Sequence, residues 1–153
     1  MKNPKIKSLD QLKTIVEKLK KQRKKIVFTN GCFDIVHAGH AELFRKAKSL
    51  GDVLIVGVNS DSSVKTIKSN VRPIITEKYR MELLSAIQYI DYVVKYDEST
   101  PLKVIQALFP HIVVKGGDWA ADKVVGRGYA DVVRVKLVSG LSTTDMIKRI
   151  KNL

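Results

Sequence analysis

The stretch TNGCFDIVHAGH, residues 29–40, contains the change of period that decides the fold. Just before it and overlapping its first residue, Ile26-Val27-Phe28-Thr29 is a short run of β-branched and aromatic residues, which suits a buried strand. Just after it, Leu43, Phe44, Ala47 and Leu50 return at helical spacing. The chain therefore leaves a strand at Asn30-Gly31, crosses a short loop, and opens a helix at His37-Ala38-Gly39-His40.

Outward from this unit the same alternation continues. Residues 9–19 place Leu9, Leu12, Ile15, Val16 and Leu19 on one helical face, with Ser8 as cap and Gln11 three residues on. Val53 to Val58 is continuously apolar, as in a strand covered on both faces. A helix is expected over Glu77–Tyr89, a strand over Tyr92–Lys95, and a helix between Pro101 and Pro110. Ile112–Lys115 and Val132–Val138 read as strands. A last helix starts near Ser142 and carries Met146, Ile147 and Ile150. Strands alternating with helices imply an α/β fold, a doubly wound and mostly parallel sheet flanked by helices. No repeat or linker divides residues 1–153, so a single domain is expected, with residues 1–25 as a basic helical segment packed on it. Ligands of such sheets bind beyond the carboxyl ends of the strands. Four polar segments follow strands here: Asn30–His40, Asn59–Asp61, Lys115–Asp118 and Ser139–Thr144. That coincidence points to one shared site.

Composition narrows the class of function. A hydrophobic fraction of 44% with 28% charged residues is ordinary for a soluble globular domain. No apolar run reaches the roughly 18 residues needed to span a bilayer, and MKNPKIKSLD lacks the apolar core of a secretory signal. Cys32 is the single cysteine, so no internal disulfide is available, which suits a reducing cytoplasm. Of the net charge of +13, residues 1–25 contribute +8, from ten Lys or Arg against Asp10 and Glu17. These lysines have no interleaved aromatics and no nucleic-acid-binding signature, so a solvated helix face is the expected reading rather than a nucleic-acid surface. The milder positive balance elsewhere suits small polyanions.

The residues that carry chemistry each admit a functional and a bland reading. A helix N-terminus at His37 would suit phosphate, and Gly31 and Gly39 would allow close backbone approach. His37 and His40, three apart, can share a face and donate to neighbouring phosphate oxygens. As zinc ligands they would want a third partner, and neither His111 nor Cys32 stands at a recognisable spacing, so no protein metal site is expected. Ser142-Thr143-Thr144 reads as a helix cap or as a phosphate cradle. Lys68, Arg72 and Arg80 are either solvated cations or phosphate ligands. Gly116-Gly117 is a tight turn or, with Lys115 and Asp118, a substrate or nucleotide contact. Asp34 accepts from a sugar hydroxyl or holds its own loop, and Asn59 and Asp61 make an Asx turn or lie near the nucleotide. Trp119 and Phe33 read as packing residues.

Gly31-Cys32-Phe33-Asp34 followed by His37-Ala38-Gly39-His40 resembles the HxGH signature of the nucleotidylyltransferase superfamily, whose fold is Rossmann-like. The segments LIVGVNSDSSVKTIK (54–68), RPI (72–74), YVVKYDESTP (92–101), VVKGGDW (113–119) and GLSTTDMIKRI (140–150) follow in the order of the D-glycero-β-D-manno-heptose 1-phosphate adenylyltransferases. The resemblance runs from about residue 8 to the C-terminus. Such enzymes occur alone or fused to a heptose kinase domain, for which 153 residues leave no room. Glycerol-3-phosphate cytidylyltransferases share HxGH and the Ser-Thr-Thr segment but usually lack the KGGD and DESTP forms.

The resemblance implies attack by a sugar 1-phosphate on the α-phosphate of ATP, giving ADP-heptose for lipopolysaccharide core synthesis and pyrophosphate. CTP and glycerol 3-phosphate or a phosphonate are the alternative pair. It implies catalytic roles for His37, His40, Lys68 and Arg80. Nucleotide contacts would come from Asn30, Gly31, Cys32, Phe33, His37, Gly39, His40, Lys115, Gly116, Asp118 and Ser142 to Thr144. Acceptor contacts would come from Asp34, Asn59, Lys68, Arg72 and Arg80. Mg²⁺ would be carried mainly by the nucleotide phosphates, and the protein would be a cytoplasmic homodimer. The chain departs from the heptose pattern between Gly126 and Ser142, where it is several residues shorter, and this bears on base choice.

Overall fold

Among the described residues, five strands form one wholly parallel sheet in the order β3-β2-β1-β4-β5. They are β1 (Ile26–Gly31), β2 (Val53–Asn59), β3 (Tyr92–Tyr96), β4 (Ile112–Gly116) and β5 (Asp131–Val135). The helices of the described residues that flank them are α1 (Leu9–Lys21), α2 (Ala38–Ser49), α3 (Asp61–Ile67), α4 (Glu77–Ser85), α5 (Leu102–Leu108) and α6 (Thr143–Lys151). This computed structural model describes residues 3–117, 123–136 and 142–153. The architecture is the Rossmann-like, doubly wound sheet that the alternating pattern and the resemblance imply.

The core lies in two layers, one on each face of the sheet. Val27, Leu54 and Val56 pack with Phe44 and Ala47 of α2 and with Leu84 of α4. On the other face, Phe28 and Ile55 pack with Leu12 and Val16 of α1 and with Val104, Ile105 and Leu108 of α5. All seven residues of β2 are buried because both faces are covered. Ser8 and Gln11 form the reciprocal cap at the start of α1. Lys20 of α1 donates to the carbonyls of Leu108 and Phe109 at 2.9 and 2.6 Å, closing the C-terminus of α5. Lys5 and Lys7 bracket Val93 through backbone hydrogen bonds, tying the N-terminal segment to β3.

Several elements differ from the sequence reading. Helix α3 was not expected; its seven residues carry no apolar stripe, and Ser60 caps it by accepting from the Ser63 amide. Helix α4 stops at Ser85 rather than Tyr89, and the chain turns so that Ile90 enters the core. Strand β1 ends at Gly31, as expected, whereas β3 and β4 each run one residue beyond their expected ranges, to Tyr96 and Gly116. Strand β5 starts at Asp131, and the part of its expected range beyond residue 136 lies outside the described residues. The short connection into β5 turns at Gly126, at φ +108°, where a Cβ would meet Ile105 Cδ1 at 3.0 Å. Among the described residues, no helix is long and apolar enough to cross a membrane.

Candidate active site

Two adjoining cavities open at the carboxyl end of the sheet, where β1, β2 and β4 finish. One, of about 310 Å³, is lined by the β1–α2 loop from Asn30 to Asp34, by His40, by Lys68, Arg72 and Lys115, and by Ser142, Thr143 and Thr144. The other, of about 390 Å³, lies between Asn59, Lys68, Ser99 to Pro101, Lys115 and Lys123 to Val125. The first brings together side chains from residue 30 to residue 144, which is the convergence that the sequence reading requires. A hydrogen bond of 3.4 Å from Thr143 Oγ1 to the Ile35 carbonyl ties the start of α6 to the β1–α2 loop.

The two imidazoles stack with ring centroids 3.9 Å apart. His37 caps α2, its Nδ1 accepting from the Gly39 amide at 3.1 Å, while His40 Nδ1 accepts from the His37 amide at 3.3 Å. With both Nδ1 atoms accepting, each neutral ring carries its proton on Nε2 and can donate there. Burial, together with repulsion from His37, pushes His40 down to about 4. Burial also holds His37 below the usual imidazole range. At neutral pH these rings are therefore uncharged donors, not cations. His40 lines the smaller cavity, and His37 stacks on it without itself lining that cavity. The Gly39 amide is taken by His37. Glycine at 31 serves packing: a Cβ there would stand 3.0 Å from the Phe33 ring. Phe33 is 5% exposed and packs edge-on against His40 and on Phe44. It thereby buttresses the His40 imidazole.

Asp34 is 2% exposed, and both its oxygens are occupied. It accepts from Arg72 Nε at 2.6 Å, from the Ile74 amide at 2.9 Å and from the Ile75 amide at 2.8 Å. Burial raises its carboxyl, but the two amides and Arg72 outweigh burial and hold it below the usual carboxylate range. Of its two readings the structure favours the loop holder: Asp34 fastens the 72–75 segment to the β1–α2 loop and aims Arg72 at the cavity. A sugar hydroxyl would find its lone pairs taken.

Arg80 requires a correction. Its side chain is fully buried beneath the loop, donating from Nε to the Ile75 carbonyl, from Nη1 to the Cys32 carbonyl and from Nη2 to Asp61 Oδ1. A guanidinium enclosed in this way cannot reach an acceptor's phosphate. It holds the β1–α2 loop and the first turn of α3 together. Asp61, which also accepts from the Glu77 amide, belongs to the same brace.

Asn59 is likewise occupied. Asn30 Nδ2 donates to the Tyr96 hydroxyl, which donates to Asn59 Oδ1. Asn59 Nδ2 then donates to Ser63 Oγ, and Ser63 to the Glu98 carbonyl. This chain joins the ends of β1, β2 and β3 and fixes the Asn30 and Asn59 side chains beside the cavities. Sequence reasoning missed Tyr96, whose phenol burial pushes well above its ordinary range. A tyrosine ending an apolar strand carries no signal that its hydroxyl will bridge two asparagines. Cys32 lies against Asn59, and burial pushes its thiol up despite the nearby Lys68, Arg80 and Arg72. It is a poor nucleophile in that state.

Lys68 ends α3 and is exposed, and Lys115 ends β4 and is half-buried beside Gly116. Ser142 caps α6, accepting from the Asp145 amide at 3.0 Å and donating to its carboxylate at 2.7 Å. Asp118 and Trp119 lie outside the described residues. His111 sits at the opposite end of the sheet, its Nδ1 accepting from the Ile26 amide, too far round the fold to join His37 and His40 around an ion.

The family model described as Cytidylyltransferase-like matches residues 28–149. The chain is 50% identical over 150 residues to the Bifunctional protein HldE of Helicobacter pylori strain Shi470, covering 97% of this chain and 32% of that protein. It is 50% identical over 151 residues to the protein of the same name from Pelobacter propionicus, covering 95% of this chain and 31% of that one. The chain thus spans about a third of the length of these relatives. Among solved structures, the lipopolysaccharide core biosynthesis protein from Thermoplasma volcanium superposes with a TM-score of 0.64 at 26% identity, over 75% of this chain and 97% of that one. The pantoate-beta-alanine ligase of Francisella tularensis superposes with a TM-score of 0.62 at 19% identity, over 95% of this chain and 76% of that one, a likeness of fold.

Proposed function

The chain belongs to the cytidylyltransferase-like family, and from that premise we propose that it joins D-glycero-β-D-manno-heptose 1-phosphate to the α-phosphate of ATP, releasing pyrophosphate. The observation that carries the reading is the smaller cavity, where His40, Arg72 and the hydroxyls of Ser142 to Thr144 face one space. Stacked neutral imidazoles offering Nε2–H donors and a hydroxylated helix start suit a triphosphate.

A sugar phosphate is largely dianionic at neutral pH and needs no base to make it a nucleophile. The protein's work is then to align two polyanions and to offset charge on the α-phosphate and on the leaving pyrophosphate. His40, backed by His37, donates to the α-phosphate as its charge builds. Lys68 and Arg72 hold the phosphates in line, and Ser142 to Thr144 receive the β- and γ-phosphates. Among the described residues, the smaller cavity's one carboxylate is Asp34, which is already bonded to Arg72 and two amides. The donors present thus fit a Mg²⁺ carried on the triphosphate rather than on protein carboxylates, and such an ion would neutralise phosphate charge. The larger cavity, with the Ser99 and Thr100 hydroxyls, suits the sugar. In the cytoplasm both substrates would be at hand, and a homodimer is the expected assembly.

The experiment is a pyrophosphate-release screen of ATP and CTP against heptose 1-phosphate and glycerol 3-phosphate, with the product identified by mass. Turnover confined to ATP with heptose 1-phosphate supports the proposal. Preference for CTP with glycerol 3-phosphate would replace it with the cytidylyltransferase reading.

A further inference from the structure

The two cavities meet along a narrow border. Five residues line both: Asn30, Gly31, Cys32, Lys68 and Lys115. Asn30 is fixed by the Tyr96 hydroxyl, Gly31 has no side chain, and Cys32 carries a protonated thiol, so the border holds two cations. They differ in mounting. Lys68 stands exposed at the end of a seven-residue helix. Lys115 stands on β4, between β1 and β5, opposite Arg134 in the parallel register. It is half-buried, and burial together with Lys68 holds its ammonium below the usual lysine range although Cys32 opposes the shift. A partly dehydrated cation on a rigid strand acts on a nearby anion far more strongly than a solvated one.

In an in-line displacement the acceptor's phosphate oxygen and the α-phosphorus approach within about 3–3.5 Å. If the triphosphate fills the smaller cavity and the sugar the larger, that approach happens on this border. We propose that Lys115 is a catalytic residue that holds the acceptor's phosphate dianion against the α-phosphate, an inference that rests on the transferase reading above. The new P–O bond forms beside its ammonium, the bond to the leaving pyrophosphate breaks on the far side, and no proton changes place on the lysine. Lys115 thereby sets which acceptors react: it requires a phosphate or phosphonate at the end of the sugar chain, whereas His40 and Ser142 to Thr144 serve the nucleotide.

The test uses the full chain with Lys115→Met, Lys115→Gln and Lys115→Arg. Pyrophosphate release is measured with heptose 1-phosphate varied at saturating ATP, and calorimetry measures binding of a non-hydrolysable α,β-methylene ATP. The Met variant, whose stem matches a half-buried lysine, is expected to lose roughly a hundredfold in kcat/KM for the acceptor. Its affinity for the ATP analogue should stay within about threefold, and Arg should recover at least about tenfold of the lost rate. Folded Met and Gln variants with near-normal acceptor kcat/KM would overturn the inference, as would losing the analogue as severely as the acceptor. If both uncharged variants fail to melt cooperatively, Lys115→Arg decides: an acceptor KM within about tenfold of wild type supports the assignment, and a larger loss overturns it. A wild-type protein that turns over no sugar phosphate would sink the transferase reading, and this inference with it.

Discussion

Replacing Arg80 by Met separates a brace from a phosphate ligand. The guanidinium is fully buried and makes three hydrogen bonds, to the Ile75 and Cys32 carbonyls and to Asp61. A stranded buried acceptor costs about 1–3 kcal/mol, and removing one partner of a buried ion pair costs about 3–5 kcal/mol. These figures overlap because one group serves all three bonds. Asp61 is also 32% exposed and keeps the Glu77 amide. The loss should therefore sit near the low end, at about 3–4 kcal/mol. For a domain of this size that lowers the melting temperature by roughly 6–16 °C. Urea denaturation and scanning calorimetry measure it directly, with kcat recorded well below the melting range. Arg80→Lys should recover part of the stability, since one ammonium reaches fewer of the three acceptors. A Met variant that melts within about 2 °C of wild type while losing a hundredfold in kcat would refute the argument and put Arg80 back at the substrate.

Other expectations follow from the same geometry. His40→Ala should lower kcat by roughly 10²–10³ with little change in melting, since it removes one donor to the developing charge. His40 also sets a pH limb: its folded value of about 4 lies below the ordinary 6.5, so below pH 6.5 the unfolded chain binds a proton that the folded one refuses. Stability should then fall as pH drops from 6.5 toward 4, and His40→Asn should flatten that limb. Asp34→Asn leaves Arg72 without its counter-charge and loosens the 72–75 segment. It should cost about 2–4 kcal/mol in urea unfolding and raise KM for both substrates. Thr143→Val, which removes a hydroxyl from the cradle and its bond to Ile35, should weaken binding of the ATP analogue by roughly tenfold.

The strands and most helices were legible because their residues repeat at the right period: β2 is apolar throughout, and α1 carries both its stripe and its cap. Helix α3 was not, since Asp-Ser-Ser-Val-Lys-Thr-Ile has one fully buried apolar residue, Val64, and takes its order from Ser60 and from its neighbours. The loop histidines and the Ser-Thr-Thr start of α6 stood out in the sequence because helix starts expose donors that phosphate can use. What sequence could not supply was the fate of individual charges. Arg72 and Arg80 look alike in the chain, yet one aims at the cavity and the other lies under the loop. The difference comes from Asp34 and Asp61, which reach them from 38 and 19 residues away. Asp34 and Asn59 were open between holding and binding for the same reason, and partners distant in the chain decided both.

The central claim is that an acceptor phosphate attacks the α-phosphorus of a triphosphate gripped between the two imidazoles and the start of the last helix. Following label from ATP tests it most directly, with wild type and His40→Ala run in parallel. Label placed on the α-phosphorus should appear in the sugar nucleotide and label on the γ-phosphorus in pyrophosphate, both slowed by roughly 10²–10³ in the variant. Label from the γ-phosphorus recovered on the sugar, or α-label transferred at the same rate without His40, would contradict it.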